Sequence, residues 1–407
     1  MISGLYSVVL TLRRELARHG IDLGWIAAGK TIARRAHEGG TPEDFSFGTL
    51  LATETDEELA KARALIDHIS DAKPDVVIFH VLGGPLETNV ARYLPPSIRR
   101  IVVTHSITRG TYLAARAIRD WVHAAVGVSP RAAADLVSEH DFDPAWTQSI
   151  PNGVDVDAFE HGRSKRTMSP HLRVLSVGRI EHAAKGVLWM PGIVKRAVRS
   201  GAGLTLTVAG DGPDLGRLKE SVSRAGLYSR VRFLGTVPRA AVPGLMAEHD
   251  VLLFPSVYEG FGITLVEAMA AGCVPVASLI RGVTDTIVTD RETGLLFPVG
   301  GRTAAARCLV RLARERGTLA ALSRAALTAA RNFSVERQGE AYFKLLRQVV
   351  DHPRPIAPPL PVSEWRLPSE LQAGYRRFIP ASVKHTLRLL EGRLPGVTAR
   401  FIPSRFA

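Results

Sequence analysis

Short continuous apolar runs alternate with amphipathic helical stretches along most of this chain, and that alternation restricts it to folds with buried parallel strands. In the first half, residues 5–19, 57–69 and 114–123 carry apolar residues at helical spacing. Between them, 21–27, 76–79, 101–104 and 125–128 read as strands. The second half repeats the alternation, with strands at 173–177, 204–209, 231–234, 251–254 and 274–277. Helices are expected there at 186–199, 214–225, 240–247, 263–271 and 302–315. At 407 residues the chain exceeds one core, so two doubly wound α/β domains are expected. The boundaries fall at 1–153, a linker at 154–171, a second domain at 172–350 and a Pro-rich basic tail at 351–407. Ligands of such sheets bind beyond the carboxyl ends of the strands, here in the cleft expected between the two domains.

Composition narrows the partners. Apolar residues make up 46% and charged residues 22%, and no run approaches the roughly 20 apolar residues of a membrane span. The start lacks the basic-then-apolar pattern of a secretory signal. Cys273 and Cys308 form neither a zinc pattern nor a disulfide framework, which favours a reducing, cytoplasmic setting. A net charge of +13 suits nucleic acid, an anionic leaflet or acidic small molecules. Aromatic content of 6% is low for base stacking and no nucleic-acid module is visible, so nucleic acid is not expected as a partner. A membrane-facing enzyme with an anionic substrate explains the charge, with an Arg-rich composition as the bland alternative.

The chemistry concentrates in SVYEGFGITLVEAMAAGCVPVAS. Glu259 lies in the Gly-rich loop Tyr258, Glu259, Gly260, Phe261, Gly262. Glu267 lies about one turn inside the helix that starts at Ile263. A helix start leaves N–H groups unpaired and carries partial positive charge, which suits a phosphate. Two carboxylates flanking a phosphate site can bond sugar hydroxyls on either side, as a nucleotide sugar requires.

This segment resembles the E-x7-E signature of family 4 glycosyltransferases, which have the GT-B fold of two Rossmann-like domains facing across a cleft. Four further stretches resemble that family in the expected order: IPNGVD at 150–155, VGRIEHAAKG at 177–186, VAGDGP at 208–213 and VRFLGTVPR at 231–239. The resemblance implies a retaining transfer of a hexose-type sugar from a nucleoside-diphosphate sugar to a glycan or lipid-linked hydroxyl, in cell-envelope polysaccharide or glycolipid synthesis. It implies that Arg179 and Lys185 neutralise the departing diphosphate, that Glu259 contacts the donor sugar, and that Glu267 accepts hydrogen bonds from the ribose. Backbone N–H groups of Phe261, Gly262 and Ile263 would face the diphosphate. Gly4 would be the remnant of a Gly-rich donor loop, and Gly212 lies in a turn that either touches the nucleotide or is a plain turn. His105, following a strand, would lie near the reacting sugar, and His80, at the end of the neighbouring strand, would meet the acceptor. No cofactor or catalytic metal is expected, and the D-x-D at Asp155–Asp157 is taken as chance.

Both ends depart from the family pattern. The chain enters its first helix directly after Met1 to Gly4, so the family's first strand is expected to be missing and to be encoded upstream. After residues 333–350, which resemble the closing helix, a Pro-rich linker and a basic helix at 382–393 are expected to be separable from the folded core and to reach an anionic inner membrane face. Helix packing back on the first domain is the alternative for that segment. Two other functions remain open: a nucleotide-sugar 2-epimerase, and a catalytically inactive GT-B binding protein.

Overall fold

A computed structural model describes residues 4–28, 46–51, 57–81, 84–160 and 169–372. Part of the expected linker (161–168) and the basic segment 382–393 lie outside these residues. The described chain forms two compact units, Met1–Gly153 with Val335–Gly374, and Val154–Ser334. No helix among the described residues is long and apolar enough to cross a membrane.

In the first unit, helix α1 (Gly4–Ala17) precedes the first described strand, β1 (Trp25–Ala28), which pairs in parallel with β2 (Gly48–Leu51). A second parallel sheet follows the order β3 (Val76–Val81), β4 (Arg99–Thr104), β5 (Ala124–Gly127) and β6 (Thr147–Ser149). Ile101, Val102 and Val103 are fully buried, which is why the 101–104 run shows no alternation. Helices α2 (Glu58–Ala72), α3 (Pro85–Asn89), α4 (Arg109–Arg116) and α5 (Pro130–His140) connect the strands. The helix expected at 114–123 therefore starts and ends earlier, and a 3-10 turn at Arg119–Trp121 takes up the rest. The unpredicted α5 has a clear local cause: Ser129 accepts from the Ala132 N–H at 3.3 Å, and Pro130 occupies the first turn.

The second unit holds α6 (Val156–Glu160), then six parallel strands: β7 (Leu172–Val177), β8 (Leu204–Ala209), β9 (Val231–Gly235), β10 (Val251–Phe254), β11 (Val274–Leu279) and β12 (Leu295–Pro298). Their order across the sheet is β12-β11-β10-β7-β8-β9. Helices α7 (His182–Lys185), α8 (Met190–Arg199), α9 (Leu215–Arg224), α10 (Val242–Ala247), α11 (Ile263–Ala270), α12 (Arg302–Arg314) and α13 (Arg316–Ala330) complete it. Val174, Leu206, Val251 and Val276 from the strands meet Ile193 and Leu309 from α8 and α12 in one core.

The end of the chain corrects two expectations. The closing helix α14 (Val335–Asp351) belongs to the first unit, not to 172–350. It packs on α1 so closely that a Cβ on Gly339 would come within 2.6 Å of the Glu15 Cβ, and His19 stacks on Phe343 at 4.4 Å. Residues 352–372 are not a free linker either. Ala357 and Leu360 donate backbone N–H groups to Asp120 and Arg92 at 2.7 and 2.9 Å. Trp365 lies 4.7 Å from the Tyr93 ring, and Leu371 is buried in the core of this unit. Proline removes backbone donors but leaves carbonyls, and Trp121 Nε1 donates to the Pro358 carbonyl at 3.0 Å. A Pro-rich extended strand can therefore bind a surface through its carbonyls and its apolar side chains.

Candidate functional site

In the second unit the chain runs outward from β7 through β8 to β9, then returns past β7 to β10 and on to β12. The order thus reverses between β7 and β10, and the carboxyl ends of these two strands border the crevice where parallel α/β sheets bind ligands. The loops leaving them are 178–186 and 255–262, two of the stretches singled out by sequence.

These loops are joined to each other. The Val257 N–H donates to the Ala184 carbonyl at 2.8 Å. Lys185 Nζ lies 2.6 Å from Glu259 Oε1, and the Ser256 hydroxyl donates to the same oxygen at 2.7 Å. Glu259 is buried, whereas the Lys185 side chain keeps 34% of its surface. A buried carboxylate needs such partners, since an unpaired one is strongly destabilising. Lys185 ends the short helix α7, and Gly186 follows at φ +62. A Cβ at Gly186 would fall 2.1 Å from the Pro255 carbonyl oxygen, so the close approach of the two loops requires glycine there.

The third loop, after β8, packs behind the first. Ile180 N–H donates to Asp211 O at 2.9 Å, and Gly212 rests on the Ile180 backbone. The Asp214 carboxylate accepts from the His182 N–H at 2.7 Å at the start of α7. Burial alone would raise the Asp214 pKa, but the His182 N–H and Arg217 outweigh it and hold the carboxyl below its ordinary value.

The remaining donor-side residues take distinct positions. Gly262, at φ +98, is the N-cap of α11, and Ile263 is the first helical residue. The first-turn N–H groups of a helix lack partners within it. The Phe261 ring is buried 5.8 Å from Phe333, so its side chain anchors the loop and leaves its backbone for a ligand. Glu267 is half-buried on α11; desolvation raises its carboxyl above the ordinary range, and Arg239 opposes this only in part. Arg179 does not pair with the Lys185–Glu259 couple. It is 63% exposed, with Nε 3.3 Å from Glu181.

In the first unit, His80 and His105 stand at the carboxyl ends of the adjacent strands β3 and β4, with Nδ1 of His80 2.7 Å from Nε2 of His105. Burial lowers the His80 pKa to about 4 and drives that of His105 well below its usual value. One ring must donate the shared proton, so the outer nitrogens of the couple present one N–H and one lone pair. Gly4 opens α1.

Sequence reasoning did not pick out Ser256, Asp214 or Glu181. Each is a common loop residue with no motif of its own: Asp214 meets His182 from a different loop, while Ser256 and Glu181 sit within three residues of their partners Glu259 and Arg179. Among the described residues no three His, Cys, Asp or Glu side chains converge as a metal set.

Comparison with known proteins agrees with this architecture. Residues 2–158 match the sequence family described as Glycosyltransferase Family 4, and residues 171–315 match Glycosyl transferases group 1. D-inositol 3-phosphate glycosyltransferase of Salinispora tropica is 31% identical over 228 residues, which cover 50% of this chain and 46% of that protein. Phosphatidyl-myo-inositol mannosyltransferase of Mycobacterium tuberculosis is 36% identical over 155 residues, covering 37% and 39%. The matched parts thus span about half or less of these relatives' length. Among solved structures, Anabaena HepE in complex with UDP superposes with a TM-score of 0.69 at 17% identity, covering 86% of this chain and 97% of that one. A glycosyltransferase from Rickettsia africae gives 0.68 at 15%, covering 86% and 96%. Two parallel α/β units, the five motifs in order and the matches to both halves lead to one conclusion: the chain belongs to glycosyltransferase family 4 and has the GT-B fold.

Proposed function

We propose that the protein is a retaining glycosyltransferase that moves a hexose-type sugar from a nucleoside-diphosphate sugar to a hydroxyl of a glycan or lipid-linked acceptor. The observation that carries this reading is the 2.6 Å Lys185–Glu259 pair above the β7/β10 reversal. It fixes a cation beside the helix start at Ile263, where a diphosphate gains from both. Glu259 meets the donor sugar from the same loop. Glu267, desolvated and half-buried, is suited to accepting hydrogen bonds from ribose hydroxyls. Arg179 adds a second, exposed cation. In the first unit the neutral His80–His105 couple offers a donor and an acceptor to hydroxyls, with His105 assigned to the reacting sugar and His80 to the acceptor side.

In this scheme the departing phosphate oxygen takes the acceptor's proton on the face it leaves. No protein nucleophile is needed, and catalysis rests on positioning and charge stabilisation. The relatives named for inositol phosphate and phosphatidylinositol acceptors, and the UDP bound to HepE, support an envelope glycolipid or glycan role and a UDP-type donor. A peripheral place at the inner membrane face accords with the net charge of +13.

A thermal-shift panel of UDP, GDP and ADP sugars tests the donor, because a ligand at 100 times its Kd stabilises by about 2.7 kcal/mol. One nucleotide class should raise Tm and support sugar transfer. A protein that binds none of them is not a transferase of this kind, and sugar epimerised without acceptor would point to an epimerase. Transfer should persist in excess chelator; loss that Mg2+ restores would overturn the metal-free scheme.

A further inference from the structure

A groove between α8 and α12 of the second unit is lined by Arg196, Arg199, Arg307, Arg311 and Arg314, with Glu315 as its one acidic side chain. Local duties account for three of the five. Arg196 donates to the Gly192 carbonyl, Arg311 pairs with Glu315 at 3.0 Å, and Arg314 donates to the Ser200 carbonyl at 2.7 Å. Arg199 and Arg307 are exposed, and among the described residues neither has a carboxylate within ion-pair distance.

The arrangement is costly for the helices that carry it. Arg307 and Arg311 are four apart, Arg311 and Arg314 three apart, and Arg196 and Arg199 three apart, so like charges face each other on both helices. Packing α8 against α12 then brings the two rows together. The groove is also distinct from the donor loops. Its Arg199, Ser200 and Arg314 end lies where α8 turns into the amino end of β8, while the donor loops leave the carboxyl ends of β7 and β10.

We propose that this groove is a second anion site, which binds phosphate groups through Arg199 and Arg307. Guanidinium groups take phosphate oxygens in pairs, and hydroxyls of Ser200 and Thr303 line the same groove. The phosphate can come from an anionic lipid headgroup or from a soluble phosphate ester, and the two sources are separable by experiment.

The test uses full-length protein with a saturating nucleotide of the class that the thermal-shift panel selects, so that the proposed donor site is occupied. Binding is measured to phosphatidylglycerol vesicles, to phosphatidylcholine vesicles and to inorganic triphosphate. Wild type should bind at least one phosphate probe, weaken with salt, and ignore phosphatidylcholine. R199Q/R307Q should bind roughly 30-fold more weakly, at about fivefold per basic residue, while sugar transfer is kept and Tm stays at or slightly above that of wild type, because the repulsion within each helix is relieved. Preference for vesicles over triphosphate identifies a lipid surface, and the reverse a soluble ester. Equal binding by wild type and R199Q/R307Q overturns the site, as does a wild type that binds neither phosphate probe. Because the variant leaves the donor loops untouched, failure here does not bear on the transferase reading.

Discussion

The two units present the same arrangement, a parallel sheet with candidate site residues at its carboxyl edge, in different materials. Among the described residues the second unit is one continuous stretch, Val154–Ser334. Its functional loops are held together by backbone contacts and by a charged pair, Lys185–Glu259. The first unit is discontinuous. Its candidate site residues are a pair of buried histidines, and part of its core, from α14 to Leu371, arrives from more than 180 residues further along the chain. The contrast teaches that a folding unit need not be a sequence interval. A charge-built site and a histidine-built site should also fail under different conditions.

The largest expected effect breaks the first unit alone. Ending the chain at Asp351 removes Leu360, Trp365 and Leu371 from their contacts, a loss on the order of 5 kcal/mol at typical values for buried apolar side chains. Hydrogen exchange resolved by peptide should show opening in α2, α4 and β3, with the second unit unchanged. Full retention of protection in the first unit would return the strap to the role of a free linker.

The next targets the second unit. Gly186→Ala places a methyl against the Pro255 carbonyl at a positive φ and should cost about 3 kcal/mol. Denaturant unfolding followed unit by unit would check it, and a stable variant would mean that the loops do not need their close approach.

Lys185→Ala should lower kcat by about 100-fold, the scale of losing one preorganised donor. It should also lower Tm, because Glu259 then keeps only Ser256 of its two side-chain partners. Adding Glu259→Gln should restore much of the stability but not the rate. Recovery of the rate would show that the pair is structural.

The last comparison is acid sensitivity. His80, His105, His123 and His140 in the first unit have lowered pKa values through burial, against His249 in the second. Below pH about 6.5 the unfolded chain takes protons that these folded rings refuse, so stability falls as pH drops towards 4. The first unit should soften more than the second between those values, as read by exchange protection. His80→Asn should flatten the slope, and parallel softening of both units would remove the distinction.

How much was legible follows the same division. Strands 204–209 and 251–254 were read to the residue: 251–254 is a fully buried, continuous apolar run, and in 204–209 buried Leu204, Leu206 and Val208 alternate with Thr205 and Thr207. The candidate donor-loop residues of the second unit could be proposed from the sequence because glycine spacing and charged loop residues are local signals. The strand Leu295–Pro298 and helix α13 were not, since short apolar runs and Ala-rich stretches fit strand, helix or loop equally well. The pairing of His80 with His105 was invisible, because register between two strands decides it and neither residue signals the other.

By itself, then, the sequence determined the alternation of strands and helices, the family and the candidate donor loops, because each rests on local periodicity or on short motifs. The tertiary structure decided which unit α14 joins, that 352–372 is part of a core, that Lys185 meets Glu259, and that five arginines share one groove. Periodicity tells that a face will be buried; only the packed chain supplies what buries it.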